Sequence, residues 1–157
     1  NLAHMFLYEA GGMAAVGGSH PHALPNRPDG TMDIEDIRNA FRSDNVHFPR
    51  TRLICLENTH NRGAGRIQPL EYVREICRWS HENGLITHLD GARLFNAVAA
   101  TGVYAKEWSR HFDTVSICFS KGLGAPVGSA NSVIMLSKLA TGCGIVCQSP
   151  DAVRARI

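Results

Sequence analysis

Short apolar runs alternate with amphipathic segments through the middle of this chain. Three runs have the length and the β-branched content of buried strands, at residues 52–56, 85–89 and 114–119. Between the first two, apolar residues recur at helical spacing from Pro69 to the residue before Gly84, and residues 92–100 form a shorter helical segment. Strands that alternate with helices predict right-handed crossovers and a mostly parallel sheet with helices on both faces. We therefore expect an α/β fold.

The flanking segments predict fewer regular elements. Residues 7–18 suggest a short helix and a turn, and the prolines of residues 20–30 indicate a loop. Asp33 is a suitable N-cap for a helix over residues 34–42. A further strand is expected at residues 132–136.

Composition is that of an ordinary globular domain. The chain has 157 residues, 44% hydrophobic and 19% charged, and a net charge of +2. This charge gives no strong field for nucleic acid or an anionic membrane. No apolar run approaches the ~20 residues that span a bilayer, and no signal peptide is evident, so we expect a cytoplasmic protein.

The five cysteines do not predict a metal site. None forms a CxxC pair, and no second pair or well-spaced histidine completes a zinc set around Cys143 and Cys147. We expect neither a structural metal nor a disulfide framework.

Chemically active residues follow each of the three predicted strands. The segments are residues 57–60 (ENTH), 90–93 (DGAR) and 120–122 (SKG). Ligands of open α/β sheets bind outside the carboxyl ends of the strands. Each residue alone has an ordinary explanation: Asp90 as a helix cap, Arg93 and Lys121 as solvated side chains, His60 as a loop histidine. Their joint placement at one edge favours a site.

The spacing of Asp90 and Lys121 suits pyridoxal phosphate (PLP). The two residues are some thirty positions apart, with a predicted helix and strand between them. The lysine amine can form a Schiff base, and the carboxylate can keep the pyridine nitrogen protonated. A dinucleotide site would need GxGxxG between a strand and a helix. Residues 122–124 supply only two glycines, and Pro126 follows, which argues against that alternative.

Four motifs resemble the low-specificity L-threonine aldolases of the β-eliminating lyase group. In family order they are residues 4–12 (HMFLYEAGG), 56–61 (LENTHN), 88–96 (HLDGARLFN) and 119–129 (FSKGLGAPVGS). The resemblance implies the large PLP-binding domain of the aspartate-aminotransferase-type fold, with residues 1–140 as its central part, incomplete, and residues 141–157 as a divergent tail.

The resemblance also implies roles for single residues. Lys121 would be the Schiff-base lysine, and Asp90 would pair with the pyridine nitrogen. Arg93 would bind the substrate carboxylate. His4 would stack on the cofactor ring, and His60 would lie near the substrate hydroxyl and remove its proton, directly or through water.

The implied reaction is retro-aldol cleavage of L-threonine or L-allo-threonine to glycine and acetaldehyde, a step of threonine catabolism and glycine biosynthesis. Glu9 is a further candidate acid or base, although a carboxylate at a helix start explains it equally well. The resemblance implies a homotetramer for the full-length protein. A cysteine-type β-lyase is a less suitable alternative. A retro-aldol reaction needs side chains near the β-hydroxyl of the substrate, and His4 and His60 together are such groups.

Two departures from the family pattern leave a second hypothesis open. The Gly/Thr-rich phosphate-binding turn expected before His4 and the smaller C-terminal domain are not in the sequence. After Lys138 the sequence also leaves the family pattern. The alternative is therefore a truncated, catalytically inactive homologue with at most weak PLP binding.

Overall fold

A computed structural model of the chain describes residues 1–42, 44–133 and 146–148. Its helices are α1 (His4–Leu7), α2 (Gly12–Ala15), α3 (Ile34–Ala40), α4 (Leu70–Glu82), α5 (Leu94–Thr101) and α6 (Ala105–Ser109). Its strands are β1 (Leu53–Glu57), β2 (Ile86–Asp90), β3 (Thr114–Cys118), β4 (Ser129–Val133) and β5 (Val146–Gln148).

The strands form one sheet in the order β1-β2-β3-β4-β5. The first three strands are parallel, whereas β4 and β5 each pair antiparallel with the preceding strand. The predicted α/β class and the parallel pairing of the three central runs are confirmed. The fourth strand, expected at residues 132–136, begins at Ser129, because a turn after β3 returns the chain directly along its neighbour. Residues 134–136 of that expected strand lie outside the described residues.

Side chains of successive residues in β1, β2 and β3 lie on opposite faces of the sheet. Leu56, Leu89 and Val115 lie abreast in register and are at most 5% exposed. They form one hydrophobic core with buried side chains of α3 to α6 and of the turn after α6, namely Ile37, Val73, Ile76, Cys77, Leu94, Ala97, Trp108 and Phe112. The residues next in register, Glu57, Asp90 and Ser116, therefore belong to the opposite face.

Most predicted elements are confirmed, with shifts of one or two residues at their ends. Asp33 caps α3 by accepting a hydrogen bond from the Glu35 N–H at 3.0 Å. Pro69 is the N-cap of α4 and not its first helical residue. Helix α6 was not predicted, since its five residues are too few to show a period.

The tail predicted for residues 141–157 contains β5. The rest of that tail, with Cys143, lies outside the described residues. Within the described part of the chain, no cluster of three or more potential metal ligands occurs, and no helix has the length and apolarity to cross a membrane.

A polar network fastens the amino end of β3 to β2. The Asp113 carboxylate accepts hydrogen bonds from the Thr87 N–H (2.7 Å) and the Thr87 hydroxyl (2.9 Å), and it lies 3.1 Å from His81 Nε2. Burial alone raises the pKa of the Asp113 carboxyl, but the hydrogen bonds from Thr87 and His81 outweigh it and hold that pKa below its ordinary value. The network therefore stabilises the charged carboxylate in the folded state.

Replacing Asp113 with Asn should lower the free energy of unfolding by about 1–2 kcal/mol, because an amide oxygen accepts the Thr87 hydrogen bonds less strongly than a carboxylate. The contribution of Asp113 should be complete above its unfolded pKa of about 3.9 and should be lost as pH falls through the lower folded pKa. Urea titrations at neutral and acidic pH measure both effects. Asp44→Asn, at an exposed turn, is the matched control; equal losses for the two variants would contradict the assignment.

Candidate active site at the carboxyl edge of the sheet

In-register pairing brings polar residues together where the parallel strands end. Glu57 is paired with Asp90, and Asp90 with Ser116, on the face opposite the main core. The ladder continues past the strands, because the Asn58 N–H donates to the Asp90 carbonyl (2.9 Å) and the Gly91 N–H to the Ser116 carbonyl (2.8 Å). A Cβ on Gly91 would lie 2.8 Å from that carbonyl, so only glycine permits this close approach.

Asp90 is a nearly buried carboxylate, 9% exposed. Its Oδ1 accepts a hydrogen bond from the Ala92 N–H at 3.1 Å. Among the described residues, none of the ion pairs includes Asp90. A buried carboxylate is costly unless a cation or several donors face it. Asp90 can therefore accept a hydrogen bond from a cationic group supplied by a ligand.

Two neighbours on the same face are affected by Asp90. Burial raises the pKa of the Cys55 thiol to about 12, and the negative charge of Asp90 acts in the same direction. Burial lowers the pKa of His88, which the Asp90 charge only partly offsets. The His88 Nδ1 lies 2.7 Å from the Thr114 hydroxyl. Cys55 and His88 are thus held uncharged beneath the carboxylate.

Lys121 lies in the turn between β3 and β4 and is half-buried. The next residue, Gly122, is packed against the first turn of α5, where a Cβ would lie 2.6 Å from the Asn96 Oδ1. Arg93 is the N-cap residue of the same helix and is also half-buried. The lysine turn and Arg93 therefore both lie at the amino end of α5. Arg93 is two residues after Gly91 in the sequence.

The Glu57 carboxylate connects two segments that are far apart in sequence. Oε2 accepts a hydrogen bond from the His4 N–H at 2.8 Å, and Oε1 accepts one from the Asn61 N–H at 2.9 Å. Glu57 is only 5% exposed. It therefore docks the first residue of α1 against the loop after β1. The sequence showed Glu57 as a carboxylate at a strand end but gave no signal for this role.

His4 lies at the start of α1 beside Glu9. Its Nε2 is 3.4 Å from Glu9 Oε1, and its ring contacts Tyr8 with centroids 5.1 Å apart. Nδ1 is buried and has no hydrogen-bond partner among the described residues. A carboxylate beside Nε2 favours the proton on that nitrogen, which leaves a lone pair on Nδ1.

His60 follows β1 and is 2% exposed. Its Nδ1 accepts a hydrogen bond from the Gly63 N–H at 3.0 Å. Its Nε2 is buried and, within the described part of the chain, has no hydrogen-bond partner. His60 is thus a buried ring whose Nδ1 is hydrogen-bonded and whose Nε2 is unpaired in the described residues.

The structure places all six predicted site residues at or beside the carboxyl edge. On one side, His4 lies beside Glu9, and Glu57 joins the His4 backbone to Asn61, the residue after His60. Asp90, Arg93 and Lys121 form the other side around the start of α5. Lys121 and Asp90 are not paired as ions. The sequence missed the supporting glycines 30, 63 and 91, because their importance depends on close packing.

Comparison with known proteins identifies the relatives of this chain. The family model described as beta-eliminating lyase matches residues 1–140. The chain is 45% identical over 127 residues to the low specificity L-threonine aldolase of Escherichia coli K12, covering 81% of this chain and 37% of that protein. It is 47% identical over 128 residues to low-specificity L-threonine aldolase 1 of Arabidopsis thaliana, covering 80% and 36%.

The chain is also similar in structure to a solved protein. The threonine aldolase of Leishmania major matches with a TM-score of 0.73 at 26% identity, over 85% of this chain and 38% of that one. The chain thus spans somewhat more than a third of the length of these relatives.

Replacing Glu57 with Gln should loosen α1, because an amide offers one acceptor where the carboxylate offers two. Losing one buried hydrogen bond to a charged group costs about 1–3 kcal/mol. Amide hydrogen exchange at His4 and Asn61 should therefore be faster, with exchange in α4 unchanged. Glu71→Gln, on the exposed face of α4, is the control. Unaltered protection at both amides would show that Glu57 does not dock α1.

Proposed function

Because the chain belongs to the β-eliminating lyase family, we propose that it is a PLP-dependent aldehyde-lyase that cleaves L-threonine or L-allo-threonine to glycine and acetaldehyde. The observation that carries the proposal is the buried carboxylate of Asp90, which forms no ion pair in the described residues, at the sheet edge where the half-buried lysine turn follows the neighbouring strand β3. The relatives with 45% and 47% identity bear the name L-threonine aldolase, which supports this substrate class.

The residues present fit the cofactor. Bound PLP supplies an electron sink for the bond that breaks at the substrate α-carbon. Asp90, which is 9% exposed and forms no ion pair in the described residues, would accept a hydrogen bond from the protonated ring nitrogen. Lys121 would hold the cofactor covalently through its amine. His4, whose buried Nδ1 has no hydrogen-bond partner in the described part of the chain, would lie against the ring.

The remaining residues would orient the substrate. Arg93, half-buried at the start of α5, would bind the α-carboxylate, since a guanidinium matches a carboxylate with two parallel hydrogen bonds. This contact would hold the Cα–Cβ bond in a fixed direction. His60 would contact the β-oxygen through Nε2, which has no hydrogen-bond partner in the described residues. His4 Nδ1, with Glu9 beside its other nitrogen, would be able to take up a proton.

Assembly and compartment are also part of the proposal. Leu2, Phe6, Leu7 and Tyr8 around α1 are 36–51% exposed, and Val16 is 91% exposed. A cluster of exposed apolar side chains is typical of a surface that contacts another chain. We propose that the full-length protein assembles through this surface as a homotetramer, and that it acts on small amino acids in the cytoplasm.

Reducing the PLP-loaded chain with borohydride should attach the cofactor permanently to the peptide that contains Lys121. Lys121→Ala should abolish this attachment, because the amine that forms the bond is removed. Lys106→Ala is the matched control, because Lys106 lies on α6, with its amine over the Tyr104 ring, and not in the turn after β3. Peptide mass spectrometry measures the modification. Attachment to Lys106 or Lys138, or persistence in Lys121→Ala, would refute the assignment of Lys121.

A product assay separates the active enzyme from the inactive homologue. Incubation of the PLP-loaded chain with L-threonine should release acetaldehyde and glycine in equal amounts, and Arg93→Ala should reduce kcat/KM by about 10²-fold or more, since a charge-assisted bidentate contact is lost. Cofactor attachment at Lys121 without acetaldehyde would instead support a PLP-binding homologue that lacks aldolase activity.

A further inference from the structure

The loop before β1 combines exposed apolar side chains with arginines. Val46 is 96% exposed and Phe48 is 46% exposed. Arginines lie on both sides of this apolar pair, namely Arg42, Arg50 and Arg52. We call residues 44–52, together with Arg42, the basic loop. Neither the hydrophobic core nor the candidate active site uses these side chains, so the loop requires a separate explanation.

Backbone contacts give the basic loop a defined shape. The Arg42 N–H donates to the Thr51 hydroxyl oxygen at 3.1 Å, which brings the two ends of the loop together. Within the loop, Asn45 Oδ1 accepts from the His47 N–H at 2.8 Å, and the Asn45 carbonyl accepts from the Phe48 N–H at 3.1 Å. The middle of a loop with closed ends lies farthest from the sheet. The apolar side chains are therefore at the tip, and the arginines are at the base.

Positive charge is concentrated at the base of this loop. Among the described residues, none of the ion pairs includes its three arginines. Only one carboxylate, Asp44, belongs to the basic loop, whereas the whole chain has 16 basic and 14 acidic side chains. The Arg42 guanidinium lies 5.0 Å from the centre of the Phe48 ring. A partner that suits the loop must therefore be negatively charged at its surface and apolar just beneath it.

An anionic lipid bilayer has this arrangement. Apolar side chains can enter the boundary between headgroups and acyl chains, while basic side chains remain at the level of the phosphates. We propose that the basic loop binds the surface of an anionic membrane reversibly, with Val46 and Phe48 inserted and the arginines on lipid phosphates. Single-stranded RNA fits less well, because it needs open aromatic faces and the Arg42 guanidinium already lies over the Phe48 ring.

The position of the loop separates this surface from the candidate active site. Arg52 immediately precedes β1, so the basic loop lies at the amino end of the strands. The residues proposed for catalysis lie at the carboxyl edge. Binding at the loop would therefore leave the active site open to small molecules. The membrane proposal does not depend on the proposed aldolase function.

Sedimentation with lipid vesicles tests the proposal on the full chain. Vesicles of phosphatidylcholine with about 30% phosphatidylserine should bind the chain at about 0.1 M salt, and vesicles of phosphatidylcholine alone should bind it at least about tenfold more weakly. Binding should weaken at about 1 M salt, because screening shortens the range of the charges from about 10 Å to about 3 Å. Equal binding to both vesicles, or binding to neither, would overturn the proposal.

Other anionic partners serve as competing probes. The chain is mixed with a poly-glutamate peptide or with single-stranded RNA under the same conditions. We expect weaker binding to both probes than to the phosphatidylserine vesicles, because neither offers an apolar layer for the tip of the loop. Binding to either probe without binding to the vesicles would overturn the assignment of a membrane as the partner.

Charge variants locate the binding surface. The double variant Arg50→Gln, Arg52→Gln should bind the anionic vesicles about 20-fold more weakly, since each basic residue near such a surface contributes about fivefold. Arg62→Gln, Arg66→Gln removes the same charge from exposed positions outside the loop and is the matched control. Asp44→Asn should strengthen binding, because it removes a carboxylate that repels the lipid phosphates. Equal losses in the two double variants would show that the loop is not the binding surface.

Variants at the tip test insertion. Val46→Ser should weaken vesicle binding about tenfold, whereas Val127→Ser, at another exposed valine, should not. In Val46→Trp, lipids brominated along their acyl chains should quench the new fluorescence. The unmodified chain, with Trp79 half-buried and Trp108 buried, supplies the background. Circular dichroism should be the same for all variants. Vesicle binding without quenching, or equal losses in the two serine variants, would contradict insertion of the loop.

Discussion

The in-register parallel pairing of β1, β2 and β3 is the constraint on which the site depends. Hydrogen bonds between these strands align Glu57, Asp90 and Ser116 in one row across the sheet. Since side chains alternate along a strand, the same register sends Leu56, Leu89 and Val115 to the opposite face. A shift of one residue in any strand would exchange core and site residues, so burial of the core also fixes the geometry of the site.

At the carboxyl edge, several buried polar groups lack hydrogen-bond or ion-pair partners in the described residues. Asp90 has no ion pair in the described residues, and His4 Nδ1 and His60 Nε2 have no hydrogen-bond partners there. Each such group opposes folding by about 1–3 kcal/mol. The hydrophobic core beneath the sheet offsets this cost, and a ligand with a cationic ring nitrogen and an acceptor oxygen would relieve it.

The amino edge of the same strands has the opposite character. There the Asp113 carboxylate is satisfied by the Thr87 N–H and hydroxyl and by His81. This end holds β2 and β3 together, whereas at the carboxyl end several buried polar atoms have no partner in the described residues. Stability and chemistry are thus assigned to opposite ends of the same strands, as in other open α/β sheets.

The α/β order, the three parallel strands and the residues at their ends could be predicted from the amino-acid sequence, since each depends on local periodicity and on short motifs. It indicated Lys121, Asp90 and Arg93 because strand ends are visible in a hydrophobic pattern. That Glu57 docks α1 and that the Gly63 N–H holds the ring of His60 became visible only in the folded chain. These contacts depend on backbone N–H directions and on the close approach of glycines, which a pattern of side chains along the chain does not encode.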